Sequence, residues 1–216
     1  MMLDKPCRNF NNSQHVLDEH FTDNRNKWEI ADDIVQKSII TGEGYFLENN
    51  VEGIWNYYKI NTNLTQQDSF VFDVTFQVIE SAGGEFSDFG LLWGFSDRAK
   101  FLNKFSYDVK EHIYKASSIH KDYKWVNYHT LGVVDLDSSQ RLYRMVICKN
   151  HQKHFFFINN IRQPLNPACG IHDWHGSNFG IYIEPSVTLL VKQFRVKRFE
   201  GCNGIIKNFA SLIGDG

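Results

Sequence analysis

Period-two alternation constrains this chain more than any other feature. In Ser69-Phe70-Val71-Phe72-Asp73-Val74-Thr75-Phe76-Gln77-Val78, the residues Phe70, Phe72, Val74, Phe76 and Val78 share one side, and Asp73, Thr75 and Gln77 share the other. That is the pattern of a strand with one face in a core and one face in water. Comparable runs fall at 16–21, 34–40, 45–48, 54–60, 86–95, 100–109, 111–120, 124–129, 141–149, 153–159, 179–184 and 188–199, which makes about thirteen strands. Between residues 15 and 199 no apolar stripe of period 3.6 is long enough for a three-turn helix. Crossover helices are therefore excluded, and a parallel sheet with them, which leaves antiparallel pairing. Short polar turns such as Ser96-Asp97-Arg98, Lys149-Asn150-His151 and Asn159-Asn160 join the runs. The expected fold is all-β, a two-sheet antiparallel jelly-roll sandwich.

The ends depart from this pattern. Residues 1–14 are polar and Asn-rich, an extension outside the sandwich of residues 15–199. In residues 200–216, Asn203 is placed to cap a short helix and Gly214 to end it, while Ile205, Ile206, Phe209, Leu212 and Ile213 fall on one helical face. Such a tail packs on its own sandwich or docks on another protein.

Composition narrows the functional classes. The net charge of -2, with acidic and basic residues interspersed, argues against a nucleic-acid partner. No apolar run approaches the ~20 residues of a membrane span, and the first residues lack a basic-then-apolar leader, so a cytoplasmic location is expected. Four cysteines in 216 residues is ordinary usage, and mostly free thiols are expected. Dinucleotide, phosphate-loop, nucleophile-elbow and zincin motifs are all lacking, so no cofactor is expected.

A set of segments then occurs in a telling order. These are Phe21-Thr22-Asp23-Asn24-Arg25-Asn26-Lys27-Trp28, Gly44-Tyr45-Phe46, Phe89-Gly90-Leu91-Leu92-Trp93-Gly94-Phe95-Ser96-Asp97, Phe155-Phe156-Phe157-Ile158-Asn159-Asn160 and Phe179-Gly180-Ile181-Tyr182. Together, over residues 16 to 199, they resemble the bacterial concanavalin A-like, laminin-G-like jelly-roll domains that sit as accessory modules beside other domains. The resemblance implies two curved sheets with first and last strands adjacent, and binding of carbohydrate or protein on the concave sheet or rim loops. Some relatives are glycoside hydrolases, and the glucanase branch carries a Glu-x-Asp-x-x-Glu strand. No Glu-x-Asp occurs in this chain. The metal-site pattern of the legume lectins is likewise not recognisable.

Several residues could carry a site. Asp73, Asp88 and Asp108 are the candidate carboxylates on polar strand faces, and Asp73 and Thr75 belong to one polar row. Asp88 alternates with Gly90 and Gly94, which leaves a shallow floor for a flat ligand. Trp125 lies beside the turn His120-Lys121-Asp122, which suits a rim position for stacking on a sugar ring; Trp55 and Tyr57 share a face opposite Tyr58 and Ile60, and either set could be the core one. The segment Cys169-Gly170-Ile171-His172-Asp173-Trp174-His175 offers His172, Asp173, Trp174 and His175 as a ligand-contacting loop; its spacing fits no standard zinc pattern, and no metal is expected.

The leading expectation is a non-catalytic recognition module that binds a glycan or a protein surface through the concave sheet and rim loops. The ligand residues would be Asp73, Thr75, Asp88, Trp125, His172, Asp173, Trp174 and His175. One rival is an assembly or regulatory domain docking through Ile205, Ile206, Phe209, Leu212 and Ile213. Another is a glycoside-processing enzyme with a carboxylate pair drawn from Asp73, Asp88 and Asp108. The missing glucanase strand weighs against an enzyme.

Overall fold

The computed structural model describes residues 13–52, 55–81, 87–98, 101–120, 126–134, 136, 140–151, 153–164 and 174–199. Among them are fifteen strands. The first five are β1 (Gln14–Glu19), β2 (Ala31–Asp32), β3 (Gln36–Thr41), β4 (Gly44–Asn49) and β5 (Asn56–Asn61). Next come β6 (Ser69–Ser81), β7 (Asp88–Phe95), β8 (Phe101–Asp108), β9 (Ile113–His120) and β10 (Val126–Val133). The last are β11 (Leu142–Asn150), β12 (Lys153–Ile158), β13 (Ile161–Gln163), β14 (Asn178–Ile183) and β15 (Val187–Phe199). Each run expected from alternation is present. The two strands that alternation does not reveal, β2 and β13, have two and three residues and are too short to show a period.

The strands form two antiparallel sheets. A nine-stranded sheet runs β13-β12-β11-β6-β15-β4-β3-β2, with β1 also paired to β15. A six-stranded sheet runs β10-β9-β8-β7-β14-β5. β15 is long enough to hold two neighbours on one side. Thr188–Val191 pair with β4, and Phe194–Arg198 pair with β1, which brings the first strand beside the last.

Between the sheets lies an aromatic core. Phe70, Phe72, Val74, Phe76 and Val78 of β6 meet Phe89, Leu91 and Trp93 of β7 and Phe179, Ile181 and Ile183 of β14. Ring centroids of Phe72 lie 5.1 Å from Phe179 and 4.9 Å from Phe194, and Phe76 lies 5.1 Å from Phe89. Burying each such side chain contributes about 1.5–3 kcal/mol, with a further increment from edge-to-face ring pairs. Trp93 is fully buried in the core beside Leu91, whereas Phe95, beyond Gly94, joins the cluster on the opposite face of the sheet.

The outward face of β6 is not the wet face that its sequence implies. Asp73 is only 2% exposed, and its two carboxylate oxygens accept from Arg144 of β11, Nε at 2.9 Å and Nη2 at 2.7 Å. Arg195 of β15 stands 3.9 Å away. Thr75 is half-buried in the next row. The reason is register: Arg195 and Val146 flank Asp73 on its two sides, so the carboxylate is roofed by cross-strand side chains and held in a bidentate pair.

The expected C-terminal helix, with Ile205, Ile206, Phe209, Leu212 and Ile213, lies outside the described residues. No helix among the described residues is long and apolar enough to cross a membrane.

Candidate functional site

The face of the six-stranded sheet that points away from the core carries an unusual set of side chains. Register places Glu184, Asp88 and Asp108 in one row across β14, β7 and β8, because Glu184 N donates to Asp88 O and Asp88 faces Asp108. The next row holds Tyr57, Tyr182, Gly90, Ser106 and Lys115. A third holds Lys59, Gly180, Leu92, Lys104 and Ser117. Strand alternation produces this directly. β8 reads Leu102, Lys104, Ser106, Asp108 on one side and Phe105, Tyr107 on the core side.

Gly90 sits at the centre of this pattern. A Cβ there would lie 2.1 Å from the Phe105 carbonyl oxygen, so β7 and β8 approach closely only because the position has no side chain. The ammonium and carboxylate groups around Gly90 converge. Lys104 Nζ lies 3.3 Å from Asp88 Oδ2, and Lys115 Nζ lies 2.9 Å from Asp88 Oδ1 and 3.3 Å from Asp108 Oδ2. Ser106 Oγ donates to Asp88 Oδ2 at 3.4 Å, and Ser87 Oγ donates to Asp108 Oδ1 at 2.5 Å. Lys104 Nζ also stands 4.3 Å above the centre of the Tyr182 ring, whose hydroxyl donates to Glu184 Oε1.

Protonation follows from these contacts. Lys104 is only 3% exposed, and burial pulls its pKa below the usual lysine value against the attraction of Asp88 and Glu184. For Lys115 burial acts the same way, but Asp88 and Asp108 together outweigh it and its pKa is raised. Burial pushes the Asp108 carboxyl up, yet the hydrogen bonds from Ser87 and the Glu111 amide and the charge of Lys115 prevail and its pKa falls. At Glu184 burial wins over the Tyr182 hydrogen bond and the lysines, and its pKa is raised.

Aromatic rings flank the charges. Trp55 centres 5.6 Å from Tyr57 and 5.3 Å from Tyr182, and Leu92, Phe95 and Leu102 extend the apolar floor. The ambiguity between the two faces of β5 is thus resolved, with Tyr58 in the core, Ile60 packed against it, and Trp55 and Tyr57 on the outer face. Tyr57, Lys115 and Glu184 are half-buried and present the cluster to solvent.

Of the residues proposed from sequence, Asp88 lies in this cluster, together with Asp108 from the candidate carboxylates. Asp73 and Thr75 lie on the outer face of the other sheet, so no carboxylate pair can be drawn between Asp73 and either of them. Trp174 packs at the end of the sandwich. Its ring centre is 6.1 Å from both Phe70 and Phe179, and it lies against Gly94, whose φ of 65° and missing side chain make room for the indole. His175 is beside it, its amide donating to Gly94 O at 2.6 Å. Trp125, His172 and Asp173 lie outside the described residues, as does most of the Cys169–His175 segment. Among the described residues no group of three or more metal-ligating side chains comes together. Lys104, Lys115, Tyr182 and Glu184 were not singled out by sequence. Each is one polar or amphipathic residue on an alternating strand, and only the pairing of β8 with β7 and β9 joins them.

Comparison with known proteins yields no matching family profile and no matching curated protein. Solved structures do match. A carbohydrate-binding module of Bacillus subtilis, CBM66, superposes with a TM-score of 0.57 at 12% identity over 79% of this chain and 94% of that one. The CBM2 module of the evolved Dit of Lactobacillus casei phage J-1 gives 0.58 at 10% identity, over 86% and 95%. The β-glucanase of Bacillus licheniformis gives 0.54 at 8% identity, over 85% and 97%. The fold is a concanavalin A-like jelly roll. The ordered aromatic and glycine segments of the sequence thus correspond to that architecture. At these identities the likeness concerns the fold alone.

Proposed function

We propose that this jelly roll is a glycan-binding module whose ligand lies on the outer face of the six-stranded sheet, over the half-buried Tyr57, Glu184 and Lys115, with Asp88 and Tyr182 buried beneath them. The observation that carries the reading is the Lys104–Asp88–Lys115–Asp108 chain set beside the Trp55–Tyr57–Tyr182 rings. Donors and acceptors fixed by one another suit the alternating hydroxyls of a sugar, while the half-buried Tyr57 ring, backed by Trp55 and Tyr182, offers an aromatic face to its C–H surface. The fold neighbours that are carbohydrate-binding modules support it.

A glycoside-processing activity is the second reading, supported by the glucanase among the neighbours and by Glu184, whose carboxyl burial shifts upward, the direction a general acid needs, next to Asp88. Against it, Asp88 is held between two ammonium groups, which lowers its worth as a nucleophile or base. The experiment is a glycan array with the full chain, followed by incubation of each bound glycan and detection of new reducing ends. Binding without cleavage is expected. No bound glycan at any position would overturn the proposal, and cleavage abolished by Glu184→Gln would replace it with the enzyme.

A further inference from the structure

The outer face of the six-stranded sheet carries the carboxyl groups of Glu184, Asp88 and Asp108 in one row and the ammonium groups of Lys59, Lys104 and Lys115 in the rows beside it. Each of these ammonium groups already has a carboxylate. Lys59 pairs with Asp97, Lys104 lies 3.3 Å from Asp88, and Lys115 lies 2.9 Å from Asp88 and 3.3 Å from Asp108. Glu184 differs. Among the described residues no ammonium or guanidinium group pairs with it, and its side chain accepts from the Tyr182 hydroxyl alone, through Oε1. The charged and titratable groups that face it are Tyr182 of β14, Asp88 of β7, Lys104 of β8 and Lys115 of β9, with Asp108 further along the row and Tyr57 of β5 in the next.

A ligand on this face thus meets cations that are all taken. A uronate or sulfate group would lie beside Glu184 and Asp88 with no counter-ion of its own, and an ammonium group would meet the like charges of Lys104 and Lys115. We infer that this face takes an uncharged glycan, and that Glu184 sets this preference by taking up a proton as the glycan binds and donating a hydrogen bond from Oε2 to a sugar oxygen. The inference rests on the glycan reading of the face. Burial already raises the Glu184 carboxyl against the Tyr182 hydrogen bond and the lysines, and a sugar laid over it removes more water and acts in the same direction. With Glu184 protonated, Lys59, Lys104 and Lys115 balance Asp97, Asp88 and Asp108, and the face as a whole is neutral.

The test uses the full chain and a glycan array printed with matched pairs, in which oligogalacturonate stands beside its methyl ester, glucosamine oligomers beside their N-acetyl forms, and sulfated beside unsulfated galactans. The uncharged member of a pair should bind. The strongest uncharged binder is then titrated calorimetrically at pH 5, 6, 7 and 8, in buffers of different ionisation enthalpy, into the parent and into Glu184→Gln. Because the bound carboxyl holds its proton to higher pH than the free one, parent affinity should fall as pH rises between the two values, by up to about tenfold per unit, with net proton uptake in that window. Glu184→Gln, whose amide donates without titrating, should bind like the parent at pH 5 and keep that affinity at pH 8. Proton uptake by the parent decides the matter even where Glu184→Gln does not fold. An array with no bound glycan overturns this inference together with the glycan reading. Bound glycans that are all charged, an uncharged glycan bound without proton uptake, or a folded Glu184→Gln with the pH profile of the parent overturn this inference alone.

Discussion

Replacing Asp88 by asparagine removes the negative charge that faces two ammonium groups while keeping shape. Lys115 retains Asp108 at 3.3 Å, but Lys104 loses the carboxylate 3.3 Å from its Nζ and stays enclosed. Leaving one partner of a buried pair uncompensated costs about 3–5 kcal/mol, a large part of the 5–15 kcal/mol that typically holds a domain folded. In a sandwich of this size that lowers the melting temperature by roughly 10 °C. The neutral isostere Lys104→Met removes the stranded charge, so Asp88→Asn/Lys104→Met should recover to within about 1 kcal/mol of the parent. The penalty should also depend on pH. Lys104 has a folded pKa below its unfolded value, so its contribution is lost as pH falls below the unfolded value near 10.4. Without Asp88 the folded pKa drops further, and once that lysine is neutral in the folded state the penalty shrinks by about 1.4 kcal/mol for each unit that pH rises. Urea unfolding of the four members of the cycle at pH 7 and pH 9 measures all of this. A single-variant loss below about 1 kcal/mol, or a double variant no more stable than Asp88→Asn, would refute the reasoning.

Other sites give independent expectations. His154 is buried against Trp93 and Phe156, and burial first, then the charge of Lys149, lower its pKa to about 3 from 6.5. Its contribution is therefore complete above pH 6.5 and lost as pH falls toward 3, amounting to about 2 kcal/mol between pH 7 and pH 5; in His154→Gln, urea midpoints should lose that part of their acid slope. Gly90→Ala should cost about 2–4 kcal/mol, because the new methyl meets the β8 backbone, and it should weaken glycan binding in calorimetry; parent-like stability and affinity would contradict the close approach. Arg144→Met leaves Asp73 with Arg195 alone at 3.9 Å, and thermal unfolding should show a loss of about 2–4 kcal/mol.

The alternation of β6 was legible because its core set is uniformly Phe and Val and its outer set mostly polar. In β5 the same logic stalled, since Trp55, Tyr57 and Tyr58 are aromatic on both faces, and only pairing with β14 separates them. Polarity alone also misjudged Asp73. Its partner Arg144 is 71 residues away, and nothing in the local pattern of β6 announces a bidentate pair. The candidate site was legible only in fragments for the same reason. Asp88, Lys104, Lys115 and Glu184 each look like the solvated half of an alternating strand, and long-range register joins the buried Asp88 and Lys104 to the half-buried Lys115 and Glu184 in one network. Trp174, by contrast, stood out as an aromatic in a polar loop, and its ring closes the end of the core over Phe70 and Phe179.

The central claim is that the outer face of the six-stranded sheet holds a glycan. The most direct measurement is isothermal titration of the strongest array glycan into the parent chain and into Tyr57→Ala, a half-buried position whose ring lies 5.6 Å from Trp55. A stacking ring lost from a sugar site weakens affinity by about tenfold, corresponding to about 1.4 kcal/mol, and that loss, with an unchanged unfolding midpoint, is the predicted result. Equal affinities of the two folded proteins would contradict the account.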